Sequence, residues 1–179
     1  MPTKKDYSFI TFEAPERAIT VDADALKEVR LKGQFRLPQS YCRFAAELGY
    51  GLFGKLIIIY IPMKGEFSLV ERSEVLSNVI RDSIEDDLFE YGPDGSPELA
   101  LRLIPFGVSE NGHIFGWDPE YKTSSRENAI YAIGSKCLAI RKGGSDLFAF
   151  TRMCIDERVR PVLGSGYKSL PAVFRPLKV

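Results

Sequence analysis

The longest uninterrupted apolar run in the chain, residues 56–62, places the strongest constraint on the fold. It has the length of a β-strand and falls well short of the ~18 apolar residues that a membrane-spanning helix needs. A strand with one face in water alternates polar and apolar side chains, whereas this run has no such alternation. We therefore predict an interior strand that is covered on both faces, and no association with a membrane.

The segment before this strand has the pattern of an amphipathic helix. Pro38 suits the first turn of a helix, where its missing N–H removes no hydrogen bond. Four side chains then recur at i, i+3, i+4 and i+7 and share one helical face: Tyr41, Phe44, Ala45 and Leu48. Gly49 follows at the position where a helix commonly ends with positive φ. We predict that this helix packs against the apolar strand.

The rest of the chain alternates between shorter helix and strand patterns. Further helices are predicted at 22–31, 73–89 and 146–155, the last capped by Ser145, and further strands at 7–12, 99–108, 113–117, 129–133 and 137–141. Asn111 and Gly112 predict a hairpin turn. This order indicates an α+β fold, in which helices pack around a mainly antiparallel sheet of about five to six strands. We predict a single domain over residues 1–156, and the prolines of 157–179 predict an irregular C-terminal extension.

Composition narrows the classes of function. Lys plus Arg and Asp plus Glu each total 24, and this neutral balance argues against direct nucleic-acid binding, which needs a basic face. The basic pairs Lys4–Lys5 and Arg158–Arg160 are too sparse to supply one. The three cysteines are odd in number and widely spaced, which predicts reduced packing residues. Since no apolar leader follows the first residues, we predict a cytoplasmic protein.

Cofactor and catalytic motifs are not convincing in this chain. Gly49, Gly51 and Gly54 have the spacing of a dinucleotide fingerprint, but that site needs a strand before the glycines and a helix after them. Here the predicted order is reversed, so we expect a tight helix-to-strand turn and no cofactor. The only histidine, His113, falls in the hairpin, where we expect a solvated turn residue and not a catalytic base. The histidine and the cysteines show no metal-ligand spacing.

Two groups of residues are candidates for contact with a protein partner. The predicted helix at 73–89 has an apolar stripe that includes Val79, Ile84 and Leu88, and acidic residues crowd its last turns, where they oppose the helix dipole. Aromatic and acidic residues also lie at the exit of the strand at 113–117, and Trp and Tyr are enriched at interfaces. The alternatives are that the acidic residues belong to the solvated face of the helix and that Trp117 is a core residue. The candidate contact residues are Glu85, Asp86, Asp87, Glu90, Glu110, Trp117, Glu120 and Tyr121.

Two glycine-punctuated segments, in this order along the chain, carry a resemblance to a known family. The first contains Leu37, Pro38, Tyr41, Phe44 and Gly49, and the second contains Ile104, Phe106, Gly107, Gly112, Phe115 and Asp118. Together with a late strand pair and a short final helix, they resemble the SUKH superfamily over about two-thirds of the chain. The resemblance implies that residues 1–156 form a SUKH-like α+β domain.

The resemblance also implies a class of function. Members of this family are non-enzymatic, and the bacterial ones are typically immunity proteins that bind and neutralise a cognate polymorphic toxin, often a nuclease. A fungal branch comprises structural and regulatory scaffolds of cell-wall assembly, which is the alternative for this chain. A third hypothesis, an enzyme, would have to use His113 as its general base near neutral pH. The expected partner is therefore a protein, most simply a toxin domain, and the partner's identity does not follow from the sequence.

Overall fold

A computed structural model of the chain describes residues 6–179, so Lys4 and Lys5 lie outside the described residues. Within this range the chain forms ten strands: β1 (Thr11–Phe12), β2 (Arg30–Leu31), β3 (Phe35–Arg36), β4 (Gly51–Phe53), β5 (Ile57–Ile59), β6 (Ile104–Ser109), β7 (Ile114–Ser124), β8 (Glu127–Ile133), β9 (Ile140–Gly144) and β10 (Val173–Pro176). Eight of them form one mixed sheet in the order β1-β10-β4-β5-β6-β7-β8-β9, whereas β2 pairs only with β3. The neighbours in the large sheet are antiparallel except for β1 and β10.

The same range contains six α-helices: α1 (Ala23–Glu28), α2 (Gln39–Glu47), α3 (Leu69–Glu85), α4 (Pro97–Arg102), α5 (Leu147–Cys154) and α6 (Val159–Leu163). Phe115 and Trp117 share one face of β7 and contact α5 and α2, respectively, and α6 packs beside α5. Gly116 points to the other face, where an added Cβ would lie 3.4 Å from Leu103 at the end of α4. Because α3 packs on α4 and β6, helices cover both faces of the sheet.

The predicted α+β class is confirmed, and so is the interior position of the apolar strand. β5 lies between β4 and β6, with Ile57 and Ile59 fully buried. The predicted helix before it is α2, whose face of Tyr41 and Phe44 is also fully buried. The expected five to six strands are too few, because β4 was interpreted as part of a turn and β10 as part of an irregular tail.

Helix caps account for the boundaries that differ from prediction. α3 begins at Leu69, before the expected residue 73, because the Ser68 hydroxyl accepts a hydrogen bond from the Val70 N–H at 3.3 Å. The predicted strand at 99–108 is wrong in its first half. There the Ser96 hydroxyl accepts from the Leu99 N–H at 3.2 Å and starts α4, and β6 follows. α5 is capped by the Asp146 carboxylate and not by Ser145.

The C-terminal segment is not an irregular extension. After α6, the chain enters the sheet as β10, between β1 and β4, with Phe174 fully buried. Phe174 pairs with Phe53 of β4 and with Phe12 of β1. The prolines tolerate this path because Pro171 precedes the strand and Pro176 is its last residue, so neither removes a donor from the middle of the ladder.

His113 is buried and not a solvated turn residue, which corrects the expectation from the sequence. The turn at Asn111 and Gly112 does form, but the His113 side chain lies inward with 3% exposure. Its Nε2 donates to the Leu163 carbonyl at 3.0 Å, and its Nδ1 accepts from the Ser109 hydroxyl at 2.9 Å. The carbonyl can only accept, so Nε2 carries the proton of the bond that connects α6 to the β6–β7 hairpin. Burial lowers the pKa of His113 and so favours the neutral ring.

Stability should therefore depend on pH through His113. Burial lowers the pKa of His113 below its usual value, so the unfolded chain binds a proton there at a higher pH than the folded protein does. The free energy of unfolding should be at its full value above about pH 6.5 and should fall as the pH drops through the folded-state pKa. Urea unfolding at pH 7.5 and 5.5 should show a larger decrease for the wild type than for His113→Gln. An equal decrease in both proteins would show that the folded state accepts the proton without cost.

Candidate protein-binding surfaces

Four of the predicted contact residues form one surface at the end of α3. Glu85, Asp86, Asp87 and Glu90 are all exposed, and we call them the acidic edge. The backbone N–H of Glu90 donates to the Cys137 carbonyl at 2.9 Å, which fixes this segment beyond the C-terminal end of β8. Within the part of the chain that the structure describes, none of the four carboxylates makes an ion pair.

The backbone of the acidic edge turns in a way that favours glycine. The Leu88 N–H donates to the Ser83 carbonyl at 2.9 Å and the Asp87 N–H to the Ile84 carbonyl at 3.1 Å, which is a Schellman-type helix end. Asp87 has φ +57°, a left-handed conformation that glycine adopts without strain. Leu88, placed in the predicted apolar stripe, is 63% exposed. The edge thus combines an unfavourable backbone position, charges that oppose the helix dipole and an exposed leucine.

The other four predicted contact residues do not join the acidic edge as one patch. Glu110 lies in the β6–β7 turn. This turn is at the same end of the sheet as the acidic edge, because Gly112 of the turn lies beside Ser135, just after β8. Glu120 and Tyr121 are exposed in the outer half of β7, toward the opposite end of the sheet.

Trp117 is excluded as a contact residue, which corrects the prediction. Its side chain is fully buried, stacked on Phe106 with ring centroids 4.5 Å apart and in edge contact with Tyr41 at 5.0 Å. A partner would reach the indole ring only if the core opened. Trp117 contributes instead to the packing between α2, β6 and β7.

A partly buried ion pair, whose carboxylate is the buried partner, holds the outer half of β7 against α4. Arg102 donates from Nε to Asp118 Oδ1 and from Nη2 to Asp118 Oδ2, both at 2.8 Å, in a bidentate pair. The Asp118 side chain is 2% exposed. Asn128 of β8 donates to the Asp118 backbone carbonyl at 2.9 Å, so strands β7 and β8 and helix α4 meet at this point.

The charge of Asp118 depends on these partners. Burial opposes ionisation of its carboxyl group, but the hydrogen bonds from Arg102 and from the Glu120 N–H outweigh burial and hold the pKa of Asp118 below its usual value. A depressed carboxyl pKa contributes stability above the unfolded-state value, about pH 4, and this stability is lost as the pH falls through the folded-state pKa.

A groove next to this ion pair runs between the β7–β8 hairpin and the α1–α2 region. It consists of two cavities, of about 630 and 790 Å³, that share Arg36, Lys122 and Asn128 as lining residues. We call this feature the basic groove, because its lining has more Lys and Arg than Asp and Glu. These residues come from four separate segments and form no basic run, so the sequence alone does not predict the groove.

Substitution at the helix end should separate backbone strain from charge. Asp87→Gly should raise the free energy of unfolding by about 1 kcal/mol, because glycine adopts positive φ without strain and one unfavourable charge is removed. Asp86→Gly is the matched control: it removes the same charge, but Asp86 has φ −81°, so no gain is expected. Urea unfolding of the three proteins measures the difference, and equal stability of the two variants would refute the strain argument.

Loss of the Arg102 guanidinium should destabilise the fold. Arg102→Met keeps most of the side-chain volume and leaves the buried Asp118 carboxylate without its ion pair, which should cost about 2–3 kcal/mol. Arg158→Met breaks the exposed pair with Asp156 and should cost below about 1 kcal/mol. Chemical unfolding at pH 7 compares the two, and a cost for Arg102→Met no larger than the control would contradict the buried-pair interpretation.

Three further properties of the described residues concern metal ligation, membrane-spanning helices and the state of the cysteines. In residues 6–179, no three His, Cys, Asp or Glu side chains are placed to hold a metal ion, and no helix in that range has the length and apolar character to span a bilayer. The three cysteines form no disulfide, and burial raises the pKa of Cys42 to about 11.

Comparisons of the chain with protein-family models, curated proteins and solved structures find no match.

Proposed function

We propose that this chain is a non-enzymatic protein-binding module of the SUKH type, an immunity protein that binds and neutralises a cognate toxin domain in the cytoplasm. The observation that carries the proposal is the acidic edge, in which four exposed carboxylates flank the exposed Leu88 along the chain. The positive φ of Asp87 and the acidic charges at the C-terminal end of α3 both cost stability. Proteins tend to keep such unfavourable features where function requires them. An apolar side chain within a charged rim is also the usual organisation of a protein interface.

The charge of the edge indicates the chemistry of the partner. A toxin that cleaves nucleic acid carries a basic face for its substrate, and an acidic surface complements such a face and speeds association with it. A stable interface buries about 800 Å² on each partner, so the acidic edge would supply its charged part and neighbouring exposed side chains the rest. Of the other predicted contact residues, Glu110 is the one that lies at the same end of the sheet as the acidic edge.

The residues that carry the family resemblance have structural roles in this chain. Tyr41, Phe44, Phe106 and Phe115 are fully buried. Gly49 has φ +85°, and a Cβ there would lie 2.1 Å from the Ile19 carbonyl oxygen. The resemblance therefore concerns the framework, whereas partner choice would depend on exposed side chains outside it.

Two further observations favour binding over turnover. Both ring nitrogens of His113, the histidine on which the enzyme hypothesis depends, are engaged in hydrogen bonds inside the fold. The thiols of Cys42, which is half-buried, and of Cys154, which is fully buried, have raised pKa values because burial disfavours the thiolate, so they are poor nucleophiles at neutral pH. Reduced cysteines that form no disulfide also fit a cytoplasmic location.

Charge reversal at the acidic edge should test the proposal. The reading frames that neighbour this chain's gene are first searched for a toxin domain, which the proposal expects there. That domain, purified, is the probe, and calorimetry measures the dissociation constant. The triple variant Glu85→Lys, Asp86→Lys, Asp87→Lys should weaken binding by at least about 100-fold, because like charges across an interface cost several kcal/mol. The matched control, Glu28→Lys, Glu66→Lys, Glu74→Lys, reverses three exposed carboxylates elsewhere and should change binding by less than about threefold.

The outcomes separate this proposal from its alternative. Equal binding by the two triple variants would show that the acidic edge is not the interface. Failure of the wild-type protein to bind the toxin domain, together with recovery of a host protein complex, would favour the alternative function, a structural or regulatory scaffold like the fungal branch of the family.

A further inference from the structure

The basic groove is lined by seven Lys and Arg residues and three glutamates. Some of these cations already have partners, since Arg102 binds Asp118 and Lys27 binds Asp24. Four others make no ion pair within residues 6–179: Lys32, Arg36, Lys122 and Arg126. All four are exposed, so the groove presents uncompensated positive charge along its length.

The β2–β3 hairpin shows that this charge has a local cost. Arg30 and Arg36 lie directly opposite each other in this antiparallel pair, and like charges in such positions are destabilising. The Arg30 guanidinium turns to the backbone and donates to the Val29 carbonyl at 2.8 Å, which leaves Arg36 exposed in the groove. Arg36 lines both cavities, so the residue with the unfavourable cross-strand neighbour lies where the two cavities meet.

The opposite wall of the groove is held rigidly although it is built on a long hairpin. The Glu127 carboxylate accepts hydrogen bonds from the Ser40 N–H at 2.8 Å and from the Ser40 hydroxyl at 2.7 Å, which ties the hairpin to the start of α2. The Gln39 N–H donates to the Arg126 carbonyl at 3.0 Å. Lys122 and Arg126 therefore project from an ordered backbone, and a preorganised site loses less entropy on binding.

The floor of the groove is apolar. Leu26, Leu37, Cys42 and Ala46 line one cavity and Phe35 and Ile104 the other. Phe35 is the only aromatic residue among the described residues that line the two cavities, and it is packed on Trp117 with ring centroids 5.6 Å apart. Single-stranded nucleic acids bind through exposed aromatic platforms as well as positive charge, so this lining favours a different kind of anion.

We propose that the basic groove binds an extended acidic peptide segment of a partner protein, one in which carboxylates alternate with apolar side chains. The unpaired cations along the walls complement the carboxylates, and the apolar floor accepts the intervening side chains. Each cavity has a volume in the range of small-ligand pockets, about 300–1,000 Å³, and the lining residues that they share place them side by side. This site is separate from the acidic edge, because the two lie at opposite ends of β8, roughly 20 Å apart.

Fluorescence anisotropy with defined probes tests the inference. The probe is a labelled ten-residue peptide of alternating Glu and Leu, and the comparison probes are the Gln–Leu peptide of the same length and a ten-nucleotide oligo-dT. The wild-type protein should bind the Glu–Leu peptide at least about tenfold more tightly than either comparison probe, and binding should weaken with added salt. Tighter binding of oligo-dT would overturn the proposal and make the groove a nucleic-acid site.

Matched variants locate the binding. Arg36→Glu with Arg126→Glu should weaken binding of the Glu–Leu peptide by at least about tenfold, and Arg36→Gln with Arg126→Gln by an intermediate factor, since neutral residues remove attraction without adding repulsion. The control, Lys168→Glu with Lys178→Glu, makes the same change in net charge at exposed sites outside the groove and should alter binding by less than about twofold. Equal losses in the groove and control variants, with unchanged melting temperatures, would show that only net charge matters and would overturn the proposal.

Discussion

The contacts of Trp117 are the interaction on which the rest of the structure depends. Its ring stacks on Phe106 of β6 and contacts Tyr41 of α2 edge-on. It also packs against Phe35 of β3, with ring centroids 5.6 Å apart. One side chain thus joins the centre of the large sheet, the helix that packs on it and the small hairpin at its side. Aromatic residues of this size dominate core energetics through buried area and ring geometry.

The net charge of the chain is zero, but its surface carries two separate regions of opposite charge. The acidic edge lies beyond the C-terminal end of β8, where Glu90 bonds to the Cys137 carbonyl, and the basic groove lies at the N-terminal end, beside Asn128. At physiological salt, charges are screened within about 8 Å, so the two surfaces act independently. A balanced total therefore says little about what either surface attracts.

Both surfaces are presented on a rigid support, although each has a local cost. The helix end at Asp87 and the paired arginines of the β2–β3 hairpin are unfavourable by themselves. The Arg102–Asp118 pair, the Glu127–Ser40 hydrogen bonds and the buried core hold these positions nonetheless. This combination of a closely packed interior with locally unfavourable exposed residues is what the physics of binding sites leads one to expect.

The sequence by itself determined those helices, strands and turns that depend on residues close together in the chain. The apolar run of β5, the helical face of Tyr41 and Phe44 and the turn at Gly112 depend on residues within one or two helical turns or one hairpin, so their spacing was sufficient. Only the tertiary structure decided the strand character of β10, the burial of His113 and Trp117, and the assembly of the basic groove. Each of these depends on distant segments that the fold brings together, such as Phe174 paired with Phe53, or Arg36 and Lys122 at the lining of one cavity. Backbone pairing across a sheet leaves no periodic trace in either segment alone.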